Sequence, residues 1–411
     1  MEELLNNGVI CPIPWIHLSM FPDGKTLICP CQSDYSVTLG NYFTDKVSDM
    51  INHEKLKTLR KDMLNGNSNP ICSHCYYYEN KDPNKNSSRT TFLKRFGKNL
   101  EKGILNTSET GFLDPDSFDF AYWDVRISNL CNLKCRTCHP YLSSSVQNEY
   151  KKLGWHIEPK KTYRIEKVEN SKNFIREISK HIDKVEEIHF AGGEPMLMQE
   201  HWSILDELVL NKRFNVKLHY QTNLMKLDYK NKSVFDYWEK FEENLLICPS
   251  IDAVGNKLGY IRSGSDWNNF KINLQRLLDF KNKVKNLNII PTITISVFNV
   301  LYFCDLINYL CSKNIRSYKF NIVRNPNYYN ASLLPAGLKK VAMKKISECE
   351  IKNNFSSNFF GLIKNEIYIE EFDKEKSDLQ EIFKEKTNIL DCVRNEKFNI
   401  LFRELKSMLN Q

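Results

Sequence analysis

The sequence predicts an α/β protein: six β/α units, preceded by a β-hairpin and helix and followed by a helical segment. Two patterns carry this. From Ala121 to about residue 330, short apolar runs alternate with longer amphipathic stretches. That is the signature of parallel strands joined by right-handed crossovers. The residues with chemical character then fall where such strands end, which is where an α/β barrel keeps its chemistry. A third observation concerns cysteine. The 411 residues include thirteen, eight of them within the first 138 positions.

Composition narrows the class. Met1 to Gly8 carries two glutamates and no apolar core, so it does not read as a signal peptide, and no run of eighteen apolar residues occurs. The expectation is a cytoplasmic protein without a membrane span. In a reducing compartment its cysteines read as metal-binding or catalytic before disulfide-forming. Cys248, Cys304, Cys311, Cys349 and Cys392 are scattered and read mostly as small buried hydrophobes. Net charge is +8, from 58 basic against 50 acidic residues, without the focused stripe that nucleic-acid binding requires. The densest basic stretch, Lys81 to Lys102, reads as a solvated linker face.

Residues 1–110 form the first segment. Pro22-Asp23-Gly24 is a turn signal, so Trp15–Met20 and Thr26–Cys29 read as a hairpin that brings Cys29 and Cys31 back toward Cys11. Val47, Met50, Ile51, Leu56, Leu59, Met63 and Leu64 fall on helical spacing, with Gly66 as the C′ residue. Cys72-Ser73-His74-Cys75 follows. A C-x₂-C pair facing cysteines on a hairpin is a metal-site arrangement. It suits a structural zinc, with ligands among Cys11, Cys29, Cys31, Cys72, Cys75 and His74, or an iron–sulfur cluster. Ser87-Ser88-Arg89 and the polar residues before it read as a mobile connection, and the domain boundary falls within 104–118.

The second segment is 119–330. Its strands are expected at 122–128, 186–190, 216–222, 245–251, 289–296 and 317–323. Helices are expected at 172–184, 199–211, 233–241, 266–282 and 301–313. Cys131, Cys135 and Cys138 follow the first strand at C-x₃-C-x₂-C spacing. Three thiols so close converge on one centre, and a cubane cluster held by three cysteines leaves one iron open, since four is the usual number. A zinc knot or chance clustering of buried thiols is the plainer alternative. The second strand leads into Ala191-Gly192-Gly193-Glu194-Pro195, where two glycines allow a sharp turn and close approach to a ligand. Alone, this is a turn. Ser250, Asp252 and Arg262 follow the fourth strand, and arginine suits a carboxylate because its planar fork binds bidentately. His139 and His189 read as ordinary hydrogen-bonded histidines.

The triad and the Gly192-Gly193-Glu194 turn, which begins 54 residues after Cys138, together resemble the radical S-adenosylmethionine (SAM) superfamily. The resemblance implies a partial (β/α)6 TIM-type barrel. It also implies a [4Fe–4S] cluster on Cys131, Cys135 and Cys138 with SAM on the open iron, and Gly192, Gly193 and Glu194 at the SAM amino group. Ser250 and Arg262 become candidates for SAM ribose and carboxylate. The position before the third cysteine, often aromatic in that family, is Thr137 here. Cys11, Gly24-x₄-Cys29 and Cys72-x₂-Cys75 resemble the SPASM and twitch auxiliary modules, which implies a second [4Fe–4S] cluster on Cys11, Cys29, Cys72 and Cys75. Cys31 matches less well, and the module precedes the barrel where most members place it after.

The last segment, 331–411, reads as a helical cap, with 337–351 and 376–410 amphipathic and Ile382, Phe383, Leu390, Val393, Phe398, Leu401 and Phe402 as packing positions. The functional expectation is reductive SAM cleavage to a 5′-deoxyadenosyl radical that abstracts hydrogen from a peptide or protein side chain, giving oxidative modification. An electron donor such as flavodoxin or ferredoxin is implied. The alternatives are the same chemistry on an amino acid, sugar or nucleoside, and a non-catalytic iron–sulfur electron carrier. No leader-binding segment is evident before the cysteine module, which weighs against a ribosomal-peptide substrate.

Overall fold

The computed structural model describes residues 7–32, 34, 36–81, 87–155, 168–241, 244–356, 359–368 and 373–410. The chain falls into two compact units: Met1–Asn129, Lys161–Tyr220 and Asp236–Leu245 form one, and Leu130–Lys160, Gln221–Phe235 and Leu246–Gln411 the other. Among the described residues, no helix is long and apolar enough to cross a membrane.

The first unit holds the strands β1 (His17–Met20), β2 (Lys25–Leu27), β3 (Gly40–Asn41), β4 (Tyr122–Val125), β5 (Glu187–Phe190) and β6 (Lys217–Thr222), in the order β6-β5-β4-β1-β2-β3. The last two residues of β6 belong to the other unit. The hairpin β1–β2 forms where Pro22-Asp23-Gly24 predicts it. Gly24 has φ +84° and its N–H donates to Phe21 O at 3.0 Å. β1 then runs parallel to β4, pairing His17 with Tyr122 and Ser19 with Asp124, so the cysteine-rich segment shares a sheet with the first barrel strand.

Strand period two gives this sheet an apolar and a polar face. Trp123, Val125, Ile188, Phe190, Leu218 and Tyr220 are fully buried on one side. On the other, Ser19, Asp124, His189 and His219 form one cross-strand row. Asp124 is held by Arg126 Nε at 3.0 Å and His189 Nδ1 at 3.1 Å. Burial alone would raise this carboxyl; Arg126 and His189 outweigh burial and hold it below the usual range. His189 is thus the hydrogen-bonded histidine expected of it. One row away, burial likewise raises Glu187, but His219, Arg95 and Lys217 bring it down to about 2, from 4.5. Its contribution, on the order of a few kcal/mol, is present above about pH 4.5 and lost as pH falls toward 2. Glu187→Gln should therefore flatten the acid limb of a Tm-against-pH profile.

The helix expected from Val47 is two, Val47–Ile51 and Glu54–Leu64. Asn52 interrupts it by pairing both ways with the Leu113 backbone, at 2.8 and 2.9 Å. Ser87–Arg89 is not a loose connection. Ser87 caps the helix Ser88–Phe96 in a reciprocal box with Thr90, a local signal hidden in a polar run. Arg89 is buried against Glu79 rather than solvated. The polar residues 82–86 lie outside the described residues.

The second unit contains β7 (Leu245–Pro249), β8 (Leu287–Ile289), β9 (Thr292–Ile295) and β10 (Lys319–Ile322). The single strand expected over 289–296 is split at Pro291. Proline has no N–H to donate; β8 lies beside β7, and β9 pairs in parallel with β10 while Thr292 still bridges Ser250 just past β7. At the C-terminus, Ala336–Lys352 and Asp373–Arg394 are helical. The helix expected to reach 410 stops at Arg394, because Asn395 turns left-handed at φ +52°. Leu379, Phe383, Leu390, Phe398 and Phe402 are buried, but Val393 is 54% exposed. Phe383, Phe398 and Phe402 meet Phe298 in tilted or edge-on contacts, and Phe398 and Phe402 meet Tyr260 in the same way. Of the five scattered cysteines only Cys248 and Cys349 are buried; Cys304 and Cys311 are half-buried and Cys392 is exposed.

Candidate functional site

In the second unit the triad occupies one loop. Cys135 sits in a two-residue ladder, Lys134–Cys135 against Arg262–Ser263, opposite Arg262. Cys138 N–H donates to Cys135 O at 3.2 Å, so these two cysteines share a tight turn. Three consecutive serines brace the loop. Ser143 Oγ donates to Leu133 O at 3.0 Å, Ser145 Oγ donates to Cys131 O at 2.6 Å, and Cys131 N–H donates to Ser144 Oγ at 3.2 Å. Nothing in the sequence reading singled these serines out. Asn223, after the third strand, donates to Asn132 Oδ1 at 2.9 Å. All three cysteines are half-buried. Burial raises the Cys138 thiol, and Cys135 and Cys131 raise it further; burial also raises Cys135, opposed by Arg262. A Cys138 thiol whose ionisation its two neighbours discourage suits a cationic iron centre. His139 accepts from Tyr141 N–H at 3.1 Å and caps a short 3₁₀ turn, an ordinary role.

At the end of β7, Ser250 Oγ accepts from Gln221 Nε2 at 2.6 Å. Gln221 Oε1 accepts in turn from Thr292 Oγ1 at 3.1 Å. Thr292 completes this polar group although the fifth-strand region carries no signature in sequence. Arg262 Nε lies 2.8 Å from Asp252 Oδ2, and Nη1 faces Cys135 Sγ at 3.9 Å. The fork expected for a free carboxylate is thus already half engaged by Asp252.

In the first unit, Gly192 has φ +101°, and a Cβ there would stand 2.9 Å from Ser128 O. Gly193 N–H donates to that same carbonyl at 3.0 Å. Glu194 is fully buried and caps the turn Pro195–Leu197, accepting from Met196 N–H at 3.4 Å. Gly192→Ala should cost roughly 1–3 kcal/mol by left-handed strain, read as a lower Tm.

The same unit contains a cavity lined by Cys11, Cys29, Cys31, Cys72 and Cys75, closed by apolar residues such as Ile28 and Phe92 and by Arg89. Hairpin, helix start and the helix Ser88–Phe96 all contribute walls, which is why residues 64 positions apart meet here. Burial raises Cys11, with Cys72 and Cys75 adding to it. Cys72 is pushed up to about 12 by burial and by Cys75. The hydrogen bond between Cys29 and Cys31 raises the former and lowers the latter to about 7. Cys31 Sγ also donates to Ser88 Oγ at 3.2 Å. Soft thiols lining an otherwise apolar cavity fit an iron–sulfur cluster chemically. Among the described residues no three Cys, His, Asp or Glu side chains are gathered as ligands of a single metal ion.

A thiol triad braced in one loop and a second cavity lined by five cysteines both suit iron–sulfur chemistry. Residues 125–302 match the radical SAM superfamily, and residues 11–76 match SPASM, an iron–sulfur cluster-binding domain. The chain thus carries a radical SAM domain and, on its N-terminal side, a SPASM-type iron–sulfur module. The cofactors of these two domains are a [4Fe–4S] cluster with SAM, and an auxiliary iron–sulfur cluster.

Similar solved structures include one described as "Native anSMEcpe with bound AdoMet": 17% identity, TM-score 0.39, covering 57% of this chain and 62% of that one. Another, with AdoMet and Cp18Cys peptide, has 16% identity and TM-score 0.39, covering 57% and 61%. SuiB of Streptococcus suis bound to S-adenosylmethionine has 14% identity and TM-score 0.36, covering 65% and 61%. The chain thus spans about three fifths of the length of each. No curated protein matches the chain.

Proposed function

We propose that this protein reductively cleaves SAM and oxidatively modifies a peptide or protein side chain. The observation that carries the reading is the pairing of a braced Cys131–Cys138 loop with a separate five-cysteine cavity. One thiol set suffices for SAM cleavage; a second suits an electron acceptor for the oxidised substrate. SPASM modules are often found on peptide-modifying enzymes, which favours a peptide over a small metabolite.

Cys131, Cys135 and Cys138 would hold the first cluster, and Cys11, Cys29, Cys72 and Cys75 the second, with Cys31 beside them. Held there, a reduced [4Fe–4S] cluster would supply the single electron for reductive cleavage of SAM, the source of the hydrogen-abstracting species. Glu194 and the Gly192-Gly193 turn offer acceptors for an ammonium group. Ser250, oriented by Gln221, offers a hydroxyl for the ribose. Arg262, oriented by Asp252, presents its remaining N–H groups to a carboxylate and holds positive charge beside Cys135. The electron would come from a flavodoxin or ferredoxin in the reducing cytoplasm, where free thiols persist.

Anaerobic reconstitution should load about eight irons per chain if both sites hold cubanes. Incubation with SAM, reductant and peptide pools should give a peptide lighter by a pair of hydrogens, found by mass spectrometry. Modification confined to amino acids, sugars or nucleosides would turn the substrate reading over, and about four irons with one zinc would overturn the auxiliary cluster.

A further inference from the structure

We infer that the end of the C-terminal helix, Asp391 to Glu396, is part of the cluster-binding site, with Asp391 and Glu396 as positioning residues for the triad loop acting through Arg136. This rests on Cys131, Cys135 and Cys138 being cluster ligands.

Arg136 lies between two of those cysteines, and its side chain is 0% exposed. Its Nη2 donates to Asp391 Oδ1 and to Glu396 Oε2, both at 2.6 Å. Its Nε donates to Tyr260 O at 3.3 Å, its backbone N–H donates to Ile261 O at 2.8 Å, and the guanidinium stacks 3.8 Å over the Tyr260 ring. The two carboxylates are themselves fixed. Asp391 accepts from Tyr260 Oη at 2.6 Å and from Phe398 N–H at 2.7 Å; Glu396 accepts from Ser263 Oγ at 2.8 Å. Ser263 belongs to the ladder opposite Lys134–Cys135.

A second ion group repeats the pattern on the other side of Cys135. Lys134 pairs with Glu149 at 3.3 Å, and Arg394 grips Glu149 through Nε at 3.0 Å and Nη2 at 2.5 Å. Both chain neighbours of Cys135 are therefore tied to one helix end. That end is shaped for the task. Asn395 is left-handed, and Glu396 N–H donates back to Asp391 O at 2.9 Å, which carries the Glu396 side chain round to Arg136.

Charge-assisted forks of this kind fix both geometry and orientation. A buried arginine stripped of its carboxylates would be left uncompensated, and the loop would shift to find water. Groups that orient metal ligands from behind typically alter metal affinity by roughly 10–100-fold when removed. Neutralising the carboxylates would also leave a cation beside the thiolates, favouring the added electron.

The test compares full-length, reconstituted wild type with Asp391→Asn/Glu396→Gln and with Glu396→Gln alone. Circular dichroism and auxiliary-cluster absorbance serve as folding controls. In the double variant, triad iron should pass to a chelator roughly tenfold faster than in wild type, and the triad cluster's reduction potential should rise. The single variant should move both in the same direction by less, and carries the test should the double variant fail to fold. Wild-type release rate and potential in a folded variant would overturn the inference alone. Wild-type protein with no cluster on the triad would overturn the underlying reading and this inference with it.

Discussion

Alanine at Cys131, Cys135 and Cys138 together is expected to abolish 5′-deoxyadenosine formation and leave the auxiliary absorbance in place. The effect should be complete rather than partial, because the acid–base groups nearby cannot deliver an electron to a sulfonium. Iron should fall from about eight to about four per chain, by the ligand sets assigned to each cluster. The fold should survive. The loop is braced mainly by backbone and serine hydrogen bonds and by the Arg136 ion cluster, none of which uses a cysteine side chain as its anchor. Anaerobic iron assay, absorbance and product chromatography on one preparation check all three statements.

Arg89→Met is expected to be the most damaging single change in the cysteine module, costing roughly 3–5 kcal/mol, because it strands a buried carboxylate. Arg89 and Glu79 are 7% and 9% exposed. The fork is bidentate, with Nε to Oε1 at 2.9 Å and Nη2 to Oε2 at 2.6 Å, while Nη1 donates to Ile10 O at 2.9 Å, next to Cys11. Arg89 also lines the cysteine cavity. Loss of stability and loss of auxiliary iron should therefore appear together in a chemical denaturation series and an iron assay. Arg89→Lys keeps the charge but not the fork and should fall between, since the two cations are not interchangeable at a bidentate site. A Met variant with wild-type stability would show that Glu79 finds water or a proton instead.

Local pattern carried much of this fold into the sequence. Six strands and the hairpin are legible because period-two burial and the Pro22-Asp23-Gly24 turn are short-range signals. The cysteine groups are legible because ligand spacing is itself a sequence property. Long-range partners leave no such mark. Nothing around Asp391 announces that it meets Arg136, 255 residues away. Arg89 looks like one of seven basic residues on a linker until Glu79 and Ile10 close round it. Pro291 is visible, but that β8 and β9 serve different neighbours depends on the sheet. The end of the helix Asp373–Arg394 turns on a single left-handed asparagine, which helical periodicity cannot register. Arg262 looks open to a ligand in sequence because nothing there pairs it with Asp252, ten residues earlier.

The most direct measurement is product formation by reduced, cluster-loaded protein with SAM. A Cys131–Cys135–Cys138 centre with an open iron should release 5′-deoxyadenosine and methionine in equal amounts, dependent on reductant and lost in the triple alanine variant. Intact SAM after full reduction of a protein shown to hold iron on those three cysteines would contradict it.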